Sequence, residues 1–113
     1  MNDCLFCKIG KKEIPAKIVY EDDAMFAIRD INPQAPVHIL IIPRKHVAQI
    51  NDLNATDSEL AGNLILLAKK LAVQEKIDDG FRLIFNNGSK AGQTVFHIHL
   101  HLLGGRKMTW PPG

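Results

Sequence analysis

Ile18–Glu21 and Met25–Asp30 are short runs of branched and aromatic residues separated by Glu21-Asp22-Asp23. Two such runs around a polar turn predict a β-hairpin. Val37–Pro43 is a longer β-branched apolar run and predicts a buried strand, ended by Pro43, which has no amide donor. The period then changes. Leu60, Leu64, Leu67 and Leu71 recur at helical spacing, with Ala61, Ile65, Ala68 and Ala72 beside them. Lys69, Lys70 and Gln74 fall on the wetter side. Thr56 and Glu59 have the spacing of a capping box, so the helix is expected to begin there, and Gly80 closes the region. Phe81–Asn86 alternates again and predicts a strand. The polar loop Asn87–Thr94 feeds a last apolar run through Leu103, and Leu5–Gly10 could form a short helical turn ahead of everything. This order predicts an α+β fold: a five-stranded, mainly antiparallel sheet, one long helix and a short N-terminal helix.

The chain has 113 residues, which suits a single domain over 1–113. Hydrophobic residues make up 46% and charged residues 23%, ordinary values for a globular protein. The net charge of +2 is spread thinly. Its densest cluster, Lys8, Lys11 and Lys12, reads as a solvated face, so no nucleic-acid partner is expected. No apolar run reaches the length of a membrane helix, and the start of the chain lacks a basic segment followed by an apolar one. A cytoplasmic protein with no membrane association is therefore expected. In that reducing setting Cys4-x-x-Cys7 points to a metal or redox role before a structural disulfide.

The final run changes the picture most. In Phe96-His97-Ile98-His99-Leu100-His101-Leu102-Leu103 the histidines alternate with apolar residues. An extended strand would put His97, His99 and His101 on one face and Phe96, Ile98, Leu100 and Leu102 on the other. Packing has no need for such a row, whereas chemistry near neutral pH does. Just upstream, Gly88 and Gly92 expose backbone amides and Thr94 adds a hydroxyl, a combination suited to phosphate oxygens. A phosphate held at Gly92–Thr94 would lie within reach of a histidine further along. A neutral imidazole could attack phosphorus while its neighbours donate to the non-bridging oxygens.

The run His97-Ile98-His99-Leu100-His101-Leu102-Leu103 fills every position of His-φ-His-φ-His-φ-φ, with φ apolar, and so resembles the histidine triad (HIT) family. Further blocks look like its Hint branch of nucleotide-binding proteins. They are Lys12–Lys17, Asp30–His38, Ala91–Phe96, Leu103–Arg106 and Trp110–Gly113. The resemblance implies a HIT-like fold, a homodimer with one continuous sheet, and a purine nucleoside phosphoramidase. It would cleave P–N bonds in purine nucleoside monophosphate amides, and acyl-adenylates, through a covalent histidine-AMP. His99 matches the nucleophile and His101 the phosphate contact. Thr94 with the Gly92-Gln93 backbone matches the phosphate loop, though many relatives carry serine at that position. Asn86 matches a residue near ribose and phosphate, and Asp30, with Ile31 beside it, the ribose site. Phe6, Ile9, Ile14 and Ile28 match the base pocket. His38 and His97 match supporting histidines that orient or relay protons. Catalysis would need no cofactor. Some relatives resemble this chain in holding zinc at Cys-x-x-Cys, which here implies Cys4, Cys7, His46 and His97 as ligands of a structural ion.

On spacing alone plainer readings stand beside these. Asp30 could be a turn residue before Asn32-Pro33, Asn86 a strand end, His38 a hydrogen-bonded core histidine, and Phe6, Ile14 and Ile28 simply core. Two other functions also stay open at this point: a purine-nucleotide-binding regulatory or scaffold protein with incidental turnover, and a hydrolase using the three histidines as ligands of a catalytic metal.

Overall fold

The computed structural model describes residues 3–113. Its elements run α1 (Leu5–Gly10), β1 (Ile18–Glu21), β2 (Met25–Arg29), β3 (Val37–Pro43), α2 (Ser58–Gln74), β4 (Phe81–Ile84) and β5 (Leu100–Gly104), with 3-10 turns at Ile50–Asp52, Ala55–Asp57 and Ser89–Ala91. One sheet orders the strands β1-β2-β3-β5-β4, and each neighbouring pair is antiparallel. No helix among the described residues is long and apolar enough to cross a membrane.

The sheet's two faces follow from strand alternation. Met25, Ala27, Ile39, Ile41, Leu100 and Leu102 point one way and pack against Leu64, Leu67, Ala68, Leu71 and Ala72 of α2. Phe26, Ile28, Leu40 and Ile42 point the other way, against Phe6 and Ile9 of α1. The short helix lies close: a Cβ added at Gly10 would stand 2.9 Å from the Phe26 ring.

Three expectations are corrected. The capping box is formed by Asn54 and Asp57, not Thr56 and Glu59, because a 3-10 turn precedes α2 and takes over its entry; Thr56 instead donates to Asn54 Oδ1 at 2.5 Å. Ile65 does not join the core: it is 50% exposed, with Leu66 and Val73 on the same outer face of α2. The histidine run is not one strand. Only Leu100 onward pairs in the sheet, while the chain before it bends toward the segment that leaves β3. There Ile98 N–H donates to Val47 O at 2.7 Å. The bend also leaves Phe96 exposed instead of buried with Ile98, Leu100 and Leu102.

Candidate active site

A cavity of about 380 Å³ opens on the α1 side of the sheet, within the size range of small-molecule sites. Phe6, Ile9, Ile14, Ile28 and Leu40 give it an apolar end. Asp30, Asn86, Gly92, Thr94, His99 and His101 give it a polar end. Ile31 sits fully exposed at the mouth. A wider depression of about 640 Å³ adjoins it and shares Asp30 and Ile31, but is lined by neither His99 nor His101. The chemistry therefore concentrates in the smaller cavity.

The loop before the histidines is built by glycine and a buried amide side chain. Gly92 closes the Ser89–Ala91 turn at φ 97°, a left-handed conformation that costs glycine nothing. Gln93, 3% exposed, turns its side chain inward. Its Nε2 donates to Ala48 O at 2.7 Å and Val95 O at 3.1 Å, while its Oε1 accepts from Gly88 N–H at 2.8 Å. The Gln93 side chain thus staples the loop and does not line the cavity; Thr94 stays exposed beside it.

Hydrogen bonds to the backbone assign every tautomer among the buried histidines. Gln34 N–H donates to His38 Nδ1 at 3.0 Å, so the His38 proton is on Nε2. That proton points to His101 Nδ1 at 2.9 Å, with Asp30 Oδ2 at 3.4 Å. The His101 proton is then on Nε2, a buried atom with no partner among the described residues. His99 Nδ1 donates to His97 O at 2.8 Å, which leaves a lone pair on Nε2. Phe6 stands edge-on to His99 at 4.9 Å between centroids and fixes the ring's other side. Burial lowers the pKa of His38, His97 and His99, and pushes His101 down to about 4, aided by its histidine neighbours. All four are neutral imidazoles at neutral pH. The cavity wall thus carries a free imidazole lone pair next to an unsatisfied N–H, a nucleophile beside a donor.

His97 departs from the expected row. Its ring is fully buried away from the cavity, with Nε2 donating to Pro43 O at 2.7 Å. Its bare Nδ1 lies 3.3 Å from Cys4 Sγ, 3.5 Å from Cys7 Sγ and 3.1 Å from His46 Nδ1, and Cys7 Sγ lies 3.4 Å from His46 Nδ1. Tetrahedral zinc with bonds of about 2.3 Å to sulfur and 2.05 Å to nitrogen has edges of about 3.5 and 3.3 Å. These four residues therefore fit such an ion, and the His97–Pro43 bond supplies the backing that orients a ligating imidazole. Asp30, His38 and His101 also cluster, but the Gln34 amide leaves a proton on His38 Nε2 where a metal would need a lone pair. Nor do His97, His99 and His101 converge on one point, so the reading of a catalytic metal on the three histidines fails on geometry.

Most of the residues expected in a nucleotide site thus meet in one cavity: Phe6, Ile9, Ile14, Ile28, Asp30, Ile31, Asn86, Gly92, Thr94, His99 and His101. His38 stands behind His101. Sequence reasoning missed Leu40, whose alternation with His38 was visible, and the Gln34 amide, for which a main-chain group gives no sequence signal.

The HIT domain family matches residues 11–108. The chain belongs to the HIT family. This HIT protein is 62% identical to a HIT family hydrolase from Legionella pneumophila whose crystal structure superposes with a TM-score of 0.97, covering 98% of this chain and 100% of that one. It is 55% identical to an uncharacterized HIT-like protein of Synechocystis, over 99% of this chain and 98% of that protein. A zinc-bound histidine triad family protein from Mycobacterium smegmatis is 33% identical, with a TM-score of 0.82 over 92% of this chain and 76% of that one.

Proposed function

We propose that this HIT protein is a phosphoramidase of the Hint branch that hydrolyses purine nucleoside monophosphate amides and acyl-adenylates. The observation that carries the reading is the pairing of the His99 Nε2 lone pair with the unpartnered His101 Nε2–H on one cavity wall. The apolar end, at Phe6, Ile9, Ile14 and Ile28, takes the base, and Asp30 takes the ribose hydroxyls. Asn86, the Gly92–Thr94 backbone and the Thr94 hydroxyl hold the phosphate.

His99 Nε2 attacks phosphorus and the P–N bond breaks. The leaving nitrogen gains one solvent proton, and a phosphoimidazolium remains on His99. His101 Nε2–H donates to a non-bridging oxygen as charge gathers there. Water then attacks phosphorus, the bond to His99 breaks, and nucleoside monophosphate and the borrowed proton are released. Two easier steps replace one hard one. No cofactor enters this sequence.

Cys4, Cys7, His46 and His97 would hold a structural zinc, which supplies a cross-link between the N-terminal segment and the residue preceding the nucleophile by two. The Mycobacterium smegmatis relative and the fit of the ligand distances support this, and reduced cytoplasmic thiols suit it. We place the protein in the cytoplasm as a homodimer joined through β4, whose outer edge pairs with no other strand among the described residues, and through the exposed Ile65, Leu66 and Val73 of α2. The test of the chemistry is incubation with an adenosine phosphoramidate, rapid acid quench and peptide mass analysis. AMP release with the adenylyl mass on the His99 peptide is the expected result; an adduct on any other residue overturns the assignment.

A further inference from the structure

On the far side of His101 a second cavity, of about 320 Å³, lies between the sheet and the C-terminal tail. It shares Asn86 and His101 with the candidate active site, so the two meet at the atoms that would surround phosphorus. Met108 and Pro112 wall it, and two guanidinium groups, Arg82 and Arg106, complete it. Both are held by carbonyls. Arg82 donates to Thr109 O at 2.9 Å, and Arg106 donates to Gln34 O at 3.1 Å and Lys107 O at 3.4 Å. Neither forms an ion pair among the described residues, and no Asp or Glu lines the cavity. Two cations fixed in place, with donors to spare and no counter-charge, form a site that a carboxylate or similar anion would complete. Their register explains the placement: Arg82 pairs with Leu103 across β4–β5, next to the Ile84–His101 pair, so its side chain shares the His101 face.

We propose that this cavity is the leaving-group site and that Arg82 and Arg106 select substrates whose leaving amine bears a negative charge, as in a phosphoramidate of an amino acid with a free carboxylate. This rests on the phosphoramidase reading above. When the P–N bond breaks, the amine departs on the Asn86 and His101 side with its carboxylate against the two guanidiniums.

The experiment compares two adenosine phosphoramidates that differ in one group, with glycine or glycinamide as the amine. Wild type should favour glycine by about two- to fivefold in kcat/KM, as a carboxylate meeting one partly exposed and one exposed guanidinium supplies, and the preference should shrink with added salt. Arg106→Gln and Arg82→Gln should each lower the ratio, and the double variant should erase it. Because the ratio is taken within one protein, loss of overall rate does not blur it. Calorimetry with the corresponding P–CH2 analogues reads the same preference without bond cleavage. A binding preference without turnover would refute the phosphoramidase reading and leave the anion site standing. Turnover without a preference, a preference that survives both substitutions, or equal binding of the two analogues would overturn the anion site.

Discussion

The two faces of the sheet are made from the same strands and do opposite things. Toward α2 the buried residues are all apolar, and Ile39, Ile41, Leu71, Ala72 and Leu102 have no exposed surface. Toward α1 the helix is six residues long and cannot cover the sheet, so a cavity remains with histidines on its wall. Burial on the first face stabilises the fold at about 25 cal/mol per Å² of apolar surface. The second face spends that stabilisation on buried imidazoles that must stay neutral and hydrogen-bonded. The lesson is that the site is steady because its strands are anchored from behind.

Breaking the cavity side at its centre should have the largest effect. His99→Asn removes the nucleophile and should lower AMP release from a phosphoramidate at least about a thousandfold. Nucleotide affinity by calorimetry should stay close to wild type, since the apolar end and the loop survive. Breaking the packed side instead, Leu71→Ala should cost about 2–5 kcal/mol in urea unfolding. Molecules that remain folded should keep wild-type kcat, because Leu71 belongs to the core cluster behind the sheet and no residue lining the cavity is part of that cluster.

Cys4→Ser tests whether the α1 side borrows its stability from a metal. Zinc content of the purified protein should fall below one per chain, and the unfolding free energy should drop by about 1–3 kcal/mol; an unchanged metal content refutes the ligand role.

The smallest difference is one of pH. His101 is held at about 4 against about 6.5 in an unfolded chain. The unfolded state therefore binds more protons between those values, and stability falls as pH drops from about 6.5 toward 4, with no contribution from this group above 6.5. Leu71→Ala should keep the same pH slope, while His101→Leu should make it shallower and leave the part that His38, His97 and His99 contribute. Urea midpoints at pH 7.5 and pH 5 read both.

Much of the packed face was legible because period alone defines it: the Leu64, Leu67 and Leu71 ladder and the Val37–Pro43 run are physical statements about burial. Ile65 misled because a helix with a second apolar stripe has the same letters as a broader core face. The cavity residues were legible through the family pattern, yet their local geometry was not. Alternation at 96–103 predicts a straight strand, but the Pro43 carbonyl and the Val47 carbonyl claim His97 and Ile98 before the sheet can. The Gly92-Gln93 backbone was legible as part of the loop, but not that the Gln93 side chain turns inward, with all three of its hydrogen bonds to the main chain. Such competition between backbone partners leaves no trace in residue types.

The Gln34 amide that fixes His38 has one last implication. The polarity of the whole imidazole relay is written by a peptide group, so the identity of the side chain at that position is irrelevant to it. Every residue could serve there except proline, the one amino acid that would let the wire run backwards.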